Sequence, residues 1–125
     1  MNREAFIQQF QMADGYLDMN RIDQIISECL DRCHDKYPEF ERGHMNLITT
    51  MEEAAELTEA ISLRMRGRVT DNYGVLEEMA DVIMAIWCVG QILGISHEDI
   101  QKAINVKIDR EALRIRDHKA GMETQ

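Results

Sequence analysis

Basic residues are missing from two long stretches of this 125-residue chain. No Lys or Arg occurs from Gly43 to Leu63 or from Val69 to Gln101, although the chain has 14 of them in all. Acidic residues remain in both stretches, and closely packed carboxylates repel one another unless a cation neutralises them. Because no side chain nearby in sequence can supply that cation, a bound metal ion is the simplest explanation.

The low numbers of prolines and cysteines restrict the fold class and the kinds of site that the chain can form. With one Pro and an apolar set rich in Leu, Ile, Met and Ala, the composition favours helix over sheet. The three cysteines are an odd number without CxxC spacing, which argues against a disulfide or zinc framework. Cys29 and Cys33, beside His34, could hold a soft metal, but ordinary half-buried cysteines are the favoured interpretation.

The length and the charge set further limits. A chain of 125 residues is expected to form one domain, 1–125. Its net charge of −9 disfavours nucleic-acid binding, because phosphate backbones need a basic surface. No apolar run approaches the ~20 residues of a membrane span, and the polar N-terminus does not resemble a signal peptide. We therefore expect no membrane contact and a cytoplasmic location.

Turn and cap signals divide the chain into four to five helices, and an all-α helical bundle is expected. The predicted helices are Arg3–Met12, Arg21 to about Lys36 with Asn20 as its N-cap, about His44–Met65, one through about Leu93 with Asp71 or Thr70 as its cap, and a last helix from Ser96 to about His118. Residues 119–125 are expected to form a flexible tail. The apolar spacing predicts that the third helix turns one stripe toward the core: Leu47, Met51, Ala54, Thr58, Ile61 and Met65.

Two acidic clusters lie on the third and fourth helices. Residues three apart on a helix point within about 60° of each other, so Glu53 shares a face with Glu56, and Glu78 shares one with Asp81. If these helices pack antiparallel, as their short link suggests, the four carboxylates can converge. Oxygen-only ligands suit Mg²⁺ or Mn²⁺. A di-iron site is disfavoured, because it requires Glu-x-x-His motifs and neither cluster has one.

The segment MEEAAELTEAI followed by LEEMADVIMAI resembles the MazG-like, all-α NTP pyrophosphatase superfamily, whose hallmark is EExxE and then ExxD. The resemblance covers about residues 44–118. Dimeric dUTPases, dCTP pyrophosphatases and phosphoribosyl-ATP pyrophosphohydrolases share variants of this motif. The resemblance implies a homodimer or homotetramer that binds Mg²⁺ and cleaves a (d)NTP into a nucleoside monophosphate and pyrophosphate.

The resemblance also assigns roles by position. Glu53, Glu56, Glu78 and Asp81 would be the metal ligands. Glu52 would either support those ligands from behind or help to orient the attacking water. On the last helix, Lys107, Arg110 and Arg114 share one side and would contact phosphate oxygens. Family members often carry a Lys and a downstream Asn or Arg on this helix. Here Lys107 and Arg110 match in type, but Asn105 lies before the Lys rather than after it.

Two alternatives remain open at this stage. The chain could be a non-catalytic helical module that binds nucleotide or a protein partner, although all five motif carboxylates are present. It could also carry out the same chemistry on a specialised substrate such as phosphoribosyl-ATP, dUTP or dCTP. Neither the base nor the sugar of the substrate can be read from a motif.

Overall fold

The computed structural model describes residues 2–123, which form five α-helices and no strand. The helices are α1 (Arg3–Met12), α2 (Met19–Lys36), α3 (His44–Met65), α4 (Tyr73–Leu93) and α5 (His97–Glu123). The prediction of an all-α fold is confirmed. The chain divides into two compact units, one ending at Leu93 and one beginning at Gly94. The expectation of a single domain over 1–125 stays a prediction.

In the first unit, α3 and α4 form an antiparallel hairpin, and α4 also packs on α1 and α2. The start of α3 lies against the end of α4. There Gly43 is buried with φ of 94°, and a Cβ added to it would lie 2.8 Å from Cγ1 of Ile92. Glycine is favoured at this position because it tolerates both the positive φ and the close approach. The fully packed apolar core is small and comes from α2, at Ile26 and Leu30.

Local capping explains where the hairpin helices end. Gly67, with φ of 72°, follows α3, and the N–H of Arg68 donates to the carbonyl of Leu63 at 3.0 Å. This is the Schellman arrangement that terminates a helix on a left-handed glycine. At the start of α4, the carboxylate of Asp71 accepts from the Tyr73 N–H at 3.1 Å. Of the two predicted caps, Asp71 and Thr70, Asp71 is therefore the one that binds a first-turn N–H, from one residue before Asn72, whose carbonyl accepts the first helical hydrogen bond.

Two helix boundaries differ from the predicted ones. α2 begins at Met19 because Asp18, rather than Asn20, accepts from a first-turn N–H, that of Arg21, at 3.2 Å. Both residue types cap helices well, so composition alone could not choose between them. In the second unit, α5 continues to Glu123, past the predicted end near His118. Residues 119–123 are thus helical, and the last part of the predicted flexible tail, 124–125, lies outside the described residues.

The predicted core stripe of α3 is wrong. Met51 is 66% exposed and Met65 is 82% exposed, so this stripe does not face the interior of the first unit. The half-buried face that packs toward α4 instead carries these residues: Asn46, Thr50, Glu53, Leu57 and Ala60. Apolar residues occur on both sides of α3, and periodicity cannot tell which side meets the neighbouring helix.

No single helix among residues 2–123 is long and apolar enough to cross a membrane, although α4 and α5 taken together reach that length and composition.

In the second unit, the start of α5 is capped as predicted. The Ser96 hydroxyl accepts from the Asp99 N–H at 3.0 Å.

Candidate metal centre

The antiparallel hairpin of α3 and α4 brings three acidic side chains together. One carboxylate oxygen each from Glu53, Glu78 and Asp81 lies within 4.8 Å of the other two. Glu53 belongs to the half-buried face of α3, and Glu78 and Asp81 share one face of α4 because they are three residues apart. The convergence predicted from the two acidic clusters is therefore present for these three residues.

The trio contains polar atoms with no protein partner. Oε2 of Glu53 and Oε2 of Glu78 are both buried, and neither has a hydrogen-bond partner among the described residues. A buried carboxylate oxygen without a donor is costly. Partial burial, followed by the charges of Glu56, Asp81 and Glu78, raises the pKa of Glu53 above its ordinary value of 4.5.

The same causes act on the two α4 carboxyls. Partial burial and then the charge of Asp81 raise the pKa of Glu78 above 4.5. Partial burial and then the charge of Glu56 raise the pKa of Asp81 above 3.8. All three groups are therefore harder to ionise than free carboxyls, which is the electrostatic condition that a cation would relieve.

Glu56 and Glu52 occupy different positions. Glu56 is exposed, but it is close enough to act electrostatically on Glu53, Glu78 and Asp81. It does not belong to the trio whose oxygens lie within 4.8 Å. Glu52 is exposed on α3, and it is not one of the three residues whose carboxylate oxygens converge.

The donor set fits a hard cation. Every candidate ligand is a carboxylate oxygen, which Mg²⁺ and Mn²⁺ prefer, and no soft ligand is present. Among residues 2–123, no His or Cys joins a group that meets the same distance criterion. The soft-metal interpretation of Cys29, Cys33 and His34 thus gains no geometric support.

The predicted phosphate-contacting cations lie together on α5. Lys107, Arg110 and Arg114 line one groove of this helix with apolar residues such as Ile104 and Ile108. Glu111 shares the groove, and its carboxylate pairs with Arg114 at 3.2 Å. The three cations therefore share one helix face, as their spacing predicted.

Sequence reasoning missed two features of the first unit. The charge of Glu77 contributes to the raised pKa of Glu78, although Glu77 received no role beforehand. A cleft also opens beside Met84, lined by the loop before α2 and by the start of α2. No motif marks the cleft residues, so only the folded arrangement reveals them.

Comparison with known protein families identifies a match. The profile of the MazG nucleotide pyrophosphohydrolase domain matches residues 42–112, which is more than half of the chain. The matched range includes both acidic clusters and two of the three α5 cations predicted to contact phosphate, Lys107 and Arg110. Comparison with curated proteins and with solved structures gives no match. On the strength of the profile match, the chain belongs to the MazG nucleotide pyrophosphohydrolase domain family.

Proposed function

We propose that this protein is a Mg²⁺-dependent nucleoside triphosphate pyrophosphohydrolase. In the proposed reaction, water attacks the α-phosphorus of a (d)NTP and the bond from that phosphorus to the bridging oxygen breaks. The products are a nucleoside monophosphate and pyrophosphate. The observation that carries the proposal is the trio of Glu53, Glu78 and Asp81, with its two unpartnered buried oxygens, in a chain of this family. A role in clearing the nucleotide pool, in the cytoplasm, fits this activity.

Each carboxylate has a proposed task. Glu53, Glu78 and Asp81 would hold the metal, and Glu56 would complete the ligand set from the exposed side. When bound, Mg²⁺ (or Mn²⁺ in its place) would offset the phosphate charge and acidify water. Glu52 would orient the attacking water and accept its proton. The acidic cluster thereby becomes able to bind an anionic substrate that it would otherwise repel.

The groove on α5 is the proposed source of direct phosphate contacts. Lys107 and Arg110 make no ion pair with any described residue, whereas Arg114 is paired with Glu111. Unpaired cations can bind phosphate oxygens without first breaking a contact. We therefore expect Lys107→Ala and Arg110→Ala to weaken substrate binding more than Arg114→Ala does.

We further propose that the chain assembles as a homodimer or homotetramer. Large apolar side chains of α4 are exposed on the side away from α3: Met79 is 47% exposed, and Ile83 and Ile86 are each 44% exposed. Met51 of α3 is exposed as well. Such apolar surface is typical of a subunit interface. Light scattering coupled to size exclusion measures the mass, and a monomer at micromolar concentration would contradict this proposal.

The activity is tested by pyrophosphate release across a panel of canonical and modified (d)NTPs. Mg²⁺ or Mn²⁺ should support release of pyrophosphate from at least one nucleotide, and a chelator should abolish it. Glu53→Gln and Asp81→Asn should each lose nearly all activity. Glu59→Gln is the matched control, because Glu59 is an exposed glutamate of α3 outside the trio. A folded protein that is inert on every nucleotide with either metal would refute the proposal.

A further inference from the structure

The three cysteines of the chain lie on two helices that pack on each other. Cys29 and Cys33 belong to α2, and Cys88 belongs to α4. Cys29 is exposed, while Cys33 and Cys88 are half-buried, and all three are free thiols. None of them belongs to the carboxylate trio, so their chemistry is separate from that of the proposed metal centre.

The ends of α2 and α4 meet at Gly43. A Cβ added to Gly43 would lie 2.8 Å from Cγ1 of Ile92, near the end of α4. Gly43 also lines one small pocket together with Cys33, near the end of α2. Cys88 lies four residues before Ile92, and Cys29 lies four residues before Cys33. Each of these two thiols is therefore about one helical turn, ~6 Å, from the point at which the helix ends meet.

The two helices also meet one turn before these cysteines. Ile25 of α2 and Met84 of α4 line the same cleft. Cys29 follows Ile25 by four residues, and Cys88 follows Met84 by four residues. Three residues after Cys88, Nε2 of Gln91 donates to a backbone carbonyl of α2 at 2.7 Å. Because residues three and four apart share a helix face, Cys29 and Cys88 lie on the facing sides of α2 and α4.

The other thiols affect the titration of Cys88. Partial burial, followed by the charge of Cys29, raises the pKa of Cys88 above its ordinary value of 9.0, and the charge of Cys33 adds to this effect. The charge of Arg42 acts in the opposite direction. The larger effect of Cys29 agrees with its being the nearer of the two α2 thiols. Cys88 therefore stays largely protonated at neutral pH, which makes it a poor first nucleophile.

Within α2, Cys29 and Cys33 are not suited to bridging each other. The Cβ atoms of residues four apart on a helix are about 5–6 Å apart. A disulfide needs about 3.5–4.5 Å between its Cβ atoms. Cys88 is the remaining cysteine of the chain, so it is the partner that the fold offers to Cys29.

We propose that Cys29 and Cys88 are a redox-active pair that forms a reversible disulfide between α2 and α4 on meeting a low-molecular-weight disulfide such as oxidised glutathione. In the first step, the Cys29 thiolate attacks one sulfur of the oxidant, a mixed disulfide forms at Cys29, and one glutathione thiolate leaves. In the second step, Cys88 gives up its proton and attacks the Cys29 sulfur, which releases the second glutathione thiolate. The protein thiols lose two electrons and two protons, and the oxidant takes up both and becomes two thiols.

Cys29 is suited to the first step. It is exposed, so an oxidant from solution can reach its sulfur. Nη2 of Arg32 lies 3.7 Å from that sulfur, and its charge attracts the carboxylates of oxidised glutathione. The disulfide would then fix α2 against α4 one turn from the cleft at Met84 and two turns from Asp81. The modification would thus act on the helix that carries two of the trio carboxylates.

The first experiment identifies the bond. The full chain is equilibrated with mixtures of oxidised and reduced glutathione, free thiols are alkylated, and unreduced tryptic peptides are mapped by mass spectrometry. Trypsin separates Cys29 from Cys33 because Arg32 lies between them. We expect the Cys29 peptide joined to the Cys88 peptide, with Cys33 alkylated. A bond from Cys33 to Cys88, a bond between two chains, or alkylation of all three cysteines at every ratio would overturn the proposal.

The second experiment separates the roles of the two thiols. In Cys88→Ala we expect the reaction to stop at the mixed disulfide on Cys29, because no facing thiol resolves it, and Cys88→Ser should behave in the same way. In Cys29→Ser, Cys88 should stay reduced. Cys33→Ser is the matched control, because it removes a thiol one turn from Cys29 and should leave the bond intact. Loss of the bond in Cys33→Ser, or an intrachain disulfide in Cys88→Ala, would contradict the assignment.

The third experiment tests whether the native packing presents the pair. A bond between Cys29 and Cys88 closes a long loop, so oxidation should raise the Tm of the wild type by at least about 5 °C. Dithiothreitol should reverse the rise, and the same treatment should leave the Tm of Cys29→Ser unchanged. A bond that forms only in denaturant, or one that lowers Tm, would overturn the proposal, because α2 and α4 would then have to separate to form it. The measurement uses no nucleotide, so its outcome is independent of the pyrophosphohydrolase proposal.

Discussion

Neutralising one carboxylate of the trio should stabilise the metal-free protein. The same change should leave the protein less stable than the wild type once metal is added. In Glu53→Gln the side chain keeps its size and loses its charge. The oxygens of Glu53, Glu78 and Asp81 lie within 4.8 Å of one another. Two unit charges at that distance repel by ~0.9 kcal/mol in water, and the water value is the appropriate one because these groups are partly exposed. Removing one charge removes two such repulsions.

Without metal, Glu53→Gln should therefore be more stable than the wild type by about 1–2 kcal/mol after screening by salt, which is a rise in Tm of about 5 °C for a chain of this length. With metal at one hundred times its Kd, the wild type should gain about 2.7 kcal/mol, while the variant gains much less. The order of the two stabilities should therefore invert on adding Mg²⁺.

The assay is thermal or denaturant unfolding in chelator and in excess Mg²⁺, with Glu59→Gln as the control. That variant also loses one negative charge from α3, but it lies outside the trio and should respond to metal as the wild type does. If Glu53→Gln destabilises the metal-free protein, or if metal stabilises both variants equally, the trio is not an unsatisfied cation site.

Three further results are expected. The raised pKa values of the trio carboxyls mean that the folded protein binds more protons than the unfolded chain between the ordinary Glu value of 4.5 and the raised values. Lowering the pH into this window should stabilise the metal-free protein and weaken metal binding, as calorimetry would show. Gly43→Ala should destabilise the protein by roughly 1–3 kcal/mol, because φ is 94° and Ile92 fills the space, whereas Gly15→Ala meets no atom within 4 Å and should change little in denaturant unfolding. Ser96→Ala removes the cap of α5 and should cost about 1 kcal/mol of helix stability, measured by circular dichroism during unfolding.

The helices were predictable because their ends are encoded locally. Gly67, Gly94 and Ser96 each act on backbone groups within a few residues, so their effects can be read without knowing the tertiary structure. Where two good caps compete within one turn, as Asp18 and Asn20 do, local rules do not decide. The end of α5 was also missed, because the helix continues through Gly121 to Glu123. A glycine often ends a helix but does not always do so.

The inward face of α3 was harder to predict than its boundaries. Periodicity located an apolar stripe through Met51, but that stripe is exposed, and Glu53 lies on the half-buried face. An apolar stripe indicates a packing surface on the helix. It does not indicate whether that surface packs against the same chain or against another copy of it. The cleft beside Met84 could not be predicted from the sequence, because it forms from a loop and two helices that are distant in sequence.

The convergence of the carboxylates follows from the register of the hairpin. Gly43, just before α3, lies against Ile92 near the end of α4. Glu53 is ten residues along from Gly43, and Asp81 is eleven residues back from Ile92, so the two lie at nearly the same height because both helices rise about 1.5 Å per residue. Glu78 lies one turn nearer the connecting loop on α4. The close approach at Gly43 therefore fits the register that brings the three carboxylates together, and no Lys or Arg occurs in α4 or in α3 before Arg64 to neutralise them.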